Sequence, residues 1–137
     1  MQITPLYKAI RYGHADAARL LLDHGACISI VDDRGFTYLH YAVMFNMVDL
    51  IEPLLSIGVE INASRYGRTA LHIAAFNGSL SIVQLLIDHG ANVNVADMNG
   101  HTPLDDAMYR CNKIMINLLH AHGAKSNNLL LRVLAAR

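Results

Sequence analysis

The chain has no excess of charge of either sign: eleven Lys+Arg face eleven Asp+Glu over 137 residues. Balance of this kind gives no whole-molecule attraction to nucleic acid or to an anionic membrane, so any electrostatic function must come from how the charges are distributed. Cysteine is scarce. Cys27 and Cys111 lie far apart and form no C-x-x-C, which fits reduced thiols in a reducing compartment better than a disulfide framework. No stretch approaches the roughly 18 apolar residues that span a bilayer. The opening "MQITPLYKAI" lacks the basic region followed by an apolar run that marks a secretory leader. A soluble protein is expected, cytoplasmic or nuclear, with delivery into another cell left open.

What the chain does have is apolar content, 53 % of its residues, which excludes disorder and points to dense packing. The apolar residues recur. Four units begin at Thr4, Thr37, Thr69 and Thr102, spaced 33, 32 and 33 residues apart, a period that marks a solenoid of stacked supersecondary units. Each threonine stands where a hydroxyl would cap a helix, and Pro5 and Pro103 follow at the first helical position, where a missing N–H costs nothing. Leu6, Leu39, Leu71 and Leu104 precede Ala9, Ala42, Ala74 and Ala107 by three residues, one apolar face of a short first helix. A second helix carries Ala17, Ala18, Leu20 and Leu21 in the first unit and Ile82, Val83, Leu85 and Leu86 in the third. Gly25, Gly58, Gly90 and Gly123 end it. No unit buries both stripes alone; stacked neighbours do.

"TALHIA", "GANVN" and "DMNG" in the third unit resemble the signature of the ankyrin repeats, and the resemblance covers about residues 4 to 127. It implies an all-α solenoid of four repeats (1–31, 34–64, 67–96 and 100–127) with β-turn fingers. The resemblance also implies a concave groove of fingers and first helices that binds protein without catalysis. The tail "NNLLLRVLAAR" reads as a C-terminal capping helix over 128–137 started by Asn127 or Asn128, with a docking peptide as the alternative. Three departures stand out. Tyr7 and Asp105 replace the signature histidine, "ASRYGR" is one residue short and lacks the finger aspartate seen at Asp32 and Asp97, and Pro53 falls inside the second helix of unit two. A proline there costs about 3 kcal/mol or forces a kink, so a local break in the superhelix is expected at that unit.

The positions that this scaffold leaves free carry Arg11, Tyr12, Arg34, Phe36, Met44, Phe45, Arg65, Tyr66, Arg68, Phe76, Asn77, Met98, His101, Tyr109 and Arg110. They include most of the aromatic residues and of the arginines, the types enriched at interface cores. Asp33 is the only acid read at a comparable position. The expectation is a monomeric, non-enzymatic module with no cofactor and no metal, whose basic, aromatic groove centred on Phe45, Tyr66, Arg68 and Phe76 grips an acidic segment of a partner protein. The alternatives are that Phe45 and Phe76 fold inward and Tyr66 covers the short finger, that the chain is a structural piece of a larger repeat protein, or that the same face binds single-stranded nucleic acid.

Chemistry finds little purchase. His40 and His72 sit in the signature slot, roughly one repeat step of ~10 Å apart, too far to share one zinc ion. Cys111 and His120 match no nucleophile spacing. Asn62 and Asn94, eight residues after Leu54 and Leu86, resemble the asparagines that asparaginyl hydroxylases modify in ankyrin repeats.

Overall fold

The computed structural model describes residues 4–28 and 35–128. Among them are eight helices in four antiparallel pairs: α1 (Pro5–Arg11) with α2 (Ala15–Asp23), α3 (Tyr38–Met44) with α4 (Val48–Ile57), α5 (Ala70–Asn77) with α6 (Leu80–Asp88), and α7 (Pro103–Tyr109) with α8 (Lys113–Ala121). First helices pack on first helices and second on second, α1 on α3 on α5 on α7 and α2 on α4 on α6. The capping helix expected over 128–137 and the finger bearing Asp32, Asp33 and Arg34 lie outside the described residues.

The four threonines start the first helices by accepting backbone N–H bonds from Tyr7, His40, His72 and Asp105. His40 and His72 complete the cap in the other direction. Each Nδ1 accepts the N–H of its own threonine, at 3.1 Å in both units. The neutral ring therefore carries its proton on Nε2, which donates to the next finger: His40 to the Arg68 carbonyl (3.2 Å) and His72 to the His101 carbonyl (2.9 Å). One side chain closes a helix and staples a repeat to its successor.

Asp105 reverses the polarity of that staple. Having no donor, it accepts the Thr102 N–H (2.9 Å), the Asn127 N–H (3.2 Å) and the Ser126 hydroxyl. Burial works against its charge more than any other single influence, yet these hydrogen bonds together hold the carboxyl below its usual range. The Asn128 N–H donates to the Ser126 hydroxyl (3.1 Å).

The core is continuous along the stack, with Ile10, Ala42, Leu54, Ala74, Leu86, Leu104 and Leu119 fully buried. In α2 the expected stripe is corrected. Ala18 and Leu22 face inward, whereas Ala17 is exposed and Leu20 is 60 % exposed. At about 100° per residue Leu20 stands ~200° from Ala18, on the outer face.

The expected break at Pro53 is also corrected: α4 runs unbroken through it. Its opening turn is tighter than those of its sisters. Met47, its N-cap, gives its carbonyl to the Leu50 N–H, three residues on (3.0 Å), while the other second helices open on bonds of four: Ala18 to His14, Val83 to Ser79 and Ile116 to Asn112.

The short finger is well formed. Ser64–Arg65 pairs with Arg68–Thr69 as an antiparallel hairpin, and its two loop residues, Tyr66 (φ 51°) and Gly67 (φ 79°), are both left-handed, as a two-residue type I′ loop demands. The next finger uses its aspartate instead: Asp97 Oδ1 accepts the N–H groups of Asn99 and His101, each at 2.9 Å. Deleting one residue thus exchanged a side-chain clasp for a backbone turn. The two fingers touch through the Met98 N–H and the Tyr66 carbonyl (2.9 Å).

Candidate partner-binding groove

Stacking the first helices brings their last turns into a row: Arg11 and Tyr12, Met44 and Phe45, Phe76 and Asn77, Tyr109 and Arg110. The fingers set Phe36, Arg65, Tyr66 and Met98 along the other margin. Tyr12, Tyr66, Met98 and Tyr109 are each about two-thirds exposed or more, a large apolar area for ordered side chains to leave in water. Met44 and Phe45 are half-buried and pack against the core, as does Phe36, so these three present only one flank to the groove. Phe76 lies between the two groups and stacks on Tyr109, centroids 6.3 Å apart.

Three arginines place their guanidiniums over this aromatic row. The Arg11 guanidinium sits 5.6 Å from the Phe45 centroid, Arg110 5.0 Å from Phe76, and Arg65 between Phe36 (4.8 Å) and Tyr66 (4.9 Å). These are cation–π distances. Among the described residues, none of the three has a carboxylate within ion-pair range.

Arg68 behaves differently, and its expected part as a free groove cation is corrected. Its Nη1 donates to Asp97 Oδ2 (3.0 Å), and its fork meets Asp106 at 3.1 and 3.4 Å. Two carboxylates from the following repeat occupy the guanidinium. Asp97 resists burial with help from the His101 N–H and Arg68, and its carboxyl falls below the usual value. Burial dominates at Asp106 and raises its carboxyl despite Arg68. His101 is drawn into the same knot, its N–H on Asp97 and its Nδ1 4.0 Å from that carboxylate.

Asp106 escaped the sequence reading, yet it left a signal. It stands where α1, α3 and α5 have Lys8, Tyr41 and Ile73, and a buried acid requires a cationic partner. The groove is therefore not uniformly basic. A cleft of about 230 Å³ between His101, Asp106, Tyr109 and Asn128 forms an acidic corner at the fourth repeat, in the same groove as Arg11, Arg65 and Arg110. Asn62 and Asn94 lie exposed outside this surface, their Oδ1 atoms accepting the N–H groups of Asn92 (2.9 Å) and Lys125 (2.8 Å) in the following repeats.

Comparison with known proteins agrees with this architecture. A family model of ankyrin repeats (three copies) matches residues 1–65 and again 55–129. The chain is 34 % identical over 130 residues to the B-cell lymphoma 3 protein homolog of Mus musculus, covering 90 % of this chain and 29 % of that protein. It is 38 % identical over 104 residues to the probable E3 ubiquitin-protein ligase XBOS34 of Oryza sativa subsp. japonica, covering 73 % of this chain and 20 % of the relative. A putative ankyrin repeat protein of Rickettsia felis is 38 % identical over 98 residues, covering 69 % and 32 %. The chain thus spans a fifth to a third of the length of these relatives. It belongs to the ankyrin-repeat family, whose stacks are protein–protein interaction modules.

Proposed function

We propose that the concave groove binds an acidic segment of a partner protein, with apolar residues of that segment lying on the exposed rings. The observation that carries this reading is the set of three arginines, Arg11, Arg65 and Arg110, each laid on an aromatic face and each without an internal carboxylate among the described residues. A guanidinium held against a ring has lost part of its freedom beforehand, and its N–H edges stay available to fork onto a carboxylate. Tyr12, Tyr66, Met98 and Tyr109 supply the apolar anchors, with Phe45 and Phe76 behind them. Arg68 and His101 serve this site indirectly by fixing the fingers, and Asn77 and Met44 flank it. Two-thirds-exposed tyrosines would also stack on unpaired bases, so the test includes an oligothymidine.

A fluorescein-labelled peptide alternating glutamate with leucine is titrated with wild type and with the triple variant Arg11→Gln, Arg65→Gln, Arg110→Gln, at low and physiological salt. Saturable binding weakened about tenfold or more in the variant supports the reading. Equal binding by both proteins sinks it. Tighter, salt-steep binding of labelled oligothymidine would favour nucleic acid instead.

Cys27 and Cys111 are both exposed and not disulfide-bonded, which suits a reducing cytoplasm or nucleus. We take the module to act as a monomer. Asn62 and Asn94 remain proposed hydroxylation sites, and an unchanged intact mass after incubation with an asparaginyl hydroxylase and its cosubstrates would remove that proposal.

A further inference from the structure

We propose that the outer face of the stack carries a second docking site, a notch at Pro53 that accepts a basic segment of a partner protein anchored by an apolar side chain. The second helices α2, α4, α6 and α8 place Leu20, Pro53, Leu85 and Leu118 at one equivalent position. A proline ring is shorter than leucine, and its place in the row is a cavity of about 530 Å³ between α2, α4 and α6. Val48, Pro53, Ile57 and Leu85 line it with apolar surface, and Ile57, one turn beyond the proline, is 46 % exposed. This is apolar area that the fold does not cover.

Charge decides what fits. Asp23, Asp49 and Glu52 stand on the rim against a single guanidinium, Arg19. Among the described residues Asp23 and Asp49 have no ion-pair partner, and Glu52 has only the His89 ring, 4.0 Å away. An apolar floor under three carboxylates complements a leucine-like anchor flanked by lysine or arginine. The polarity is opposite to that of the concave groove, so one partner segment does not suit both faces. A second copy of this chain, offering its own arginine row, is the rival occupant.

A fluorescein-labelled peptide alternating leucine with lysine is titrated with wild type, with Pro53→Leu, and with the double variant Asp49→Asn, Glu52→Gln. Pro53→Leu places the residue of the sister helices into the notch and covers part of its floor, and the double variant removes rim charge from exposed side chains. Circular dichroism establishes that all three are equally helical. Saturable wild-type binding that both variants weaken about fivefold or more, and that Arg65→Gln on the concave face leaves unchanged, supports the site. Three results overturn it: no binding by wild type, equal binding by Pro53→Leu, or a concentration-dependent dimer in sedimentation that Pro53→Leu abolishes. The last would assign the notch to a second copy.

Discussion

Arg68 and Asp106 meet end-on across the boundary between the third and fourth repeats, Nη2 to Oδ2 at 3.1 Å and Nη1 to Oδ1 at 3.4 Å. Nη1 also reaches Asp97 at 3.0 Å, so one cation holds a finger and a helix of the next repeat together. An arginine in a ligand-facing position has been recruited as a structural tie.

Removing that tie leaves two shielded carboxylates facing each other. Arg68→Met is expected to cost about 1–3 kcal/mol, reduced from the cost of breaking a fully buried pair because the side chain is 34 % exposed. Arg68→Lys should fall between, since a single ammonium cannot fork onto Asp106 and reach Asp97 together. Urea denaturation at pH 7 measures both. The Asp106 carboxyl already titrates above the usual range, so it is the first of the pair to be neutralised on acidification. The Arg68→Met deficit should therefore shrink at pH 4; a deficit that grew instead would count against the pairing.

His72 predicts a second pH dependence. Burial lowers its pKa below 6.5, so between the folded and unfolded values the unfolded chain binds more protons. Stability from this residue is fully present above about pH 6.5 and is lost as pH falls through the folded value. The urea midpoint of wild type should drop between pH 7.5 and 5.5, and the drop should be smaller in His72→Gln. That variant should also be less stable at pH 7.5 by about 1–2 kcal/mol, having lost the bond to the His101 carbonyl. Parallel pH profiles for the two proteins would place the dependence elsewhere.

Most of the scaffold was legible because its causes are local. A threonine three residues before a histidine caps a helix by adjacency, and the glycine after the second helix declares the left-handed turn; neither needs the stack to be read. The misreadings involve partners far away in sequence. Leu20 was assigned inward by a helical period that also took in Ala17, and the stack, which buries the face of Ala18 and Leu22, decides otherwise. Arg68 was assigned to a ligand because its two carboxylates lie 29 and 38 positions on, on elements that stacking alone brings near. Pro53 was expected to disturb the superhelix at its unit, but the sequence does not reveal that α4 runs unbroken through it with a tighter opening turn than its sisters.

Gly67 makes the close approach of the two fingers measurable. A Cβ built there would lie 2.7 Å from the Asp97 Cα, whereas one at Gly90 meets nothing within 4 Å, although both residues have positive φ. Gly90→Ala should cost the left-handed penalty alone, about 1–2 kcal/mol. Gly67→Ala adds a backbone collision and should cost roughly 3 kcal/mol or more. Thermal and urea melts of the pair test this. Equal losses would show that the fingers separate without cost.

Pro53→Leu is expected to stabilise the protein. The substitution returns an N–H to the Asp49 carbonyl, removes the ring's contact with the preceding turn, and covers part of the outer cavity with a side chain matching Leu85. An interior proline costs about 3 kcal/mol in a helix. Here α4 runs unbroken through the proline, so a gain of about 1–2 kcal/mol, less than that full cost, is the expected outcome in urea denaturation. The amide of residue 53 in the variant should exchange slowly with solvent, as a helical N–H does. A variant no more stable than wild type, with a fast-exchanging amide there, would mean that α4 holds its opening turn for reasons other than the proline.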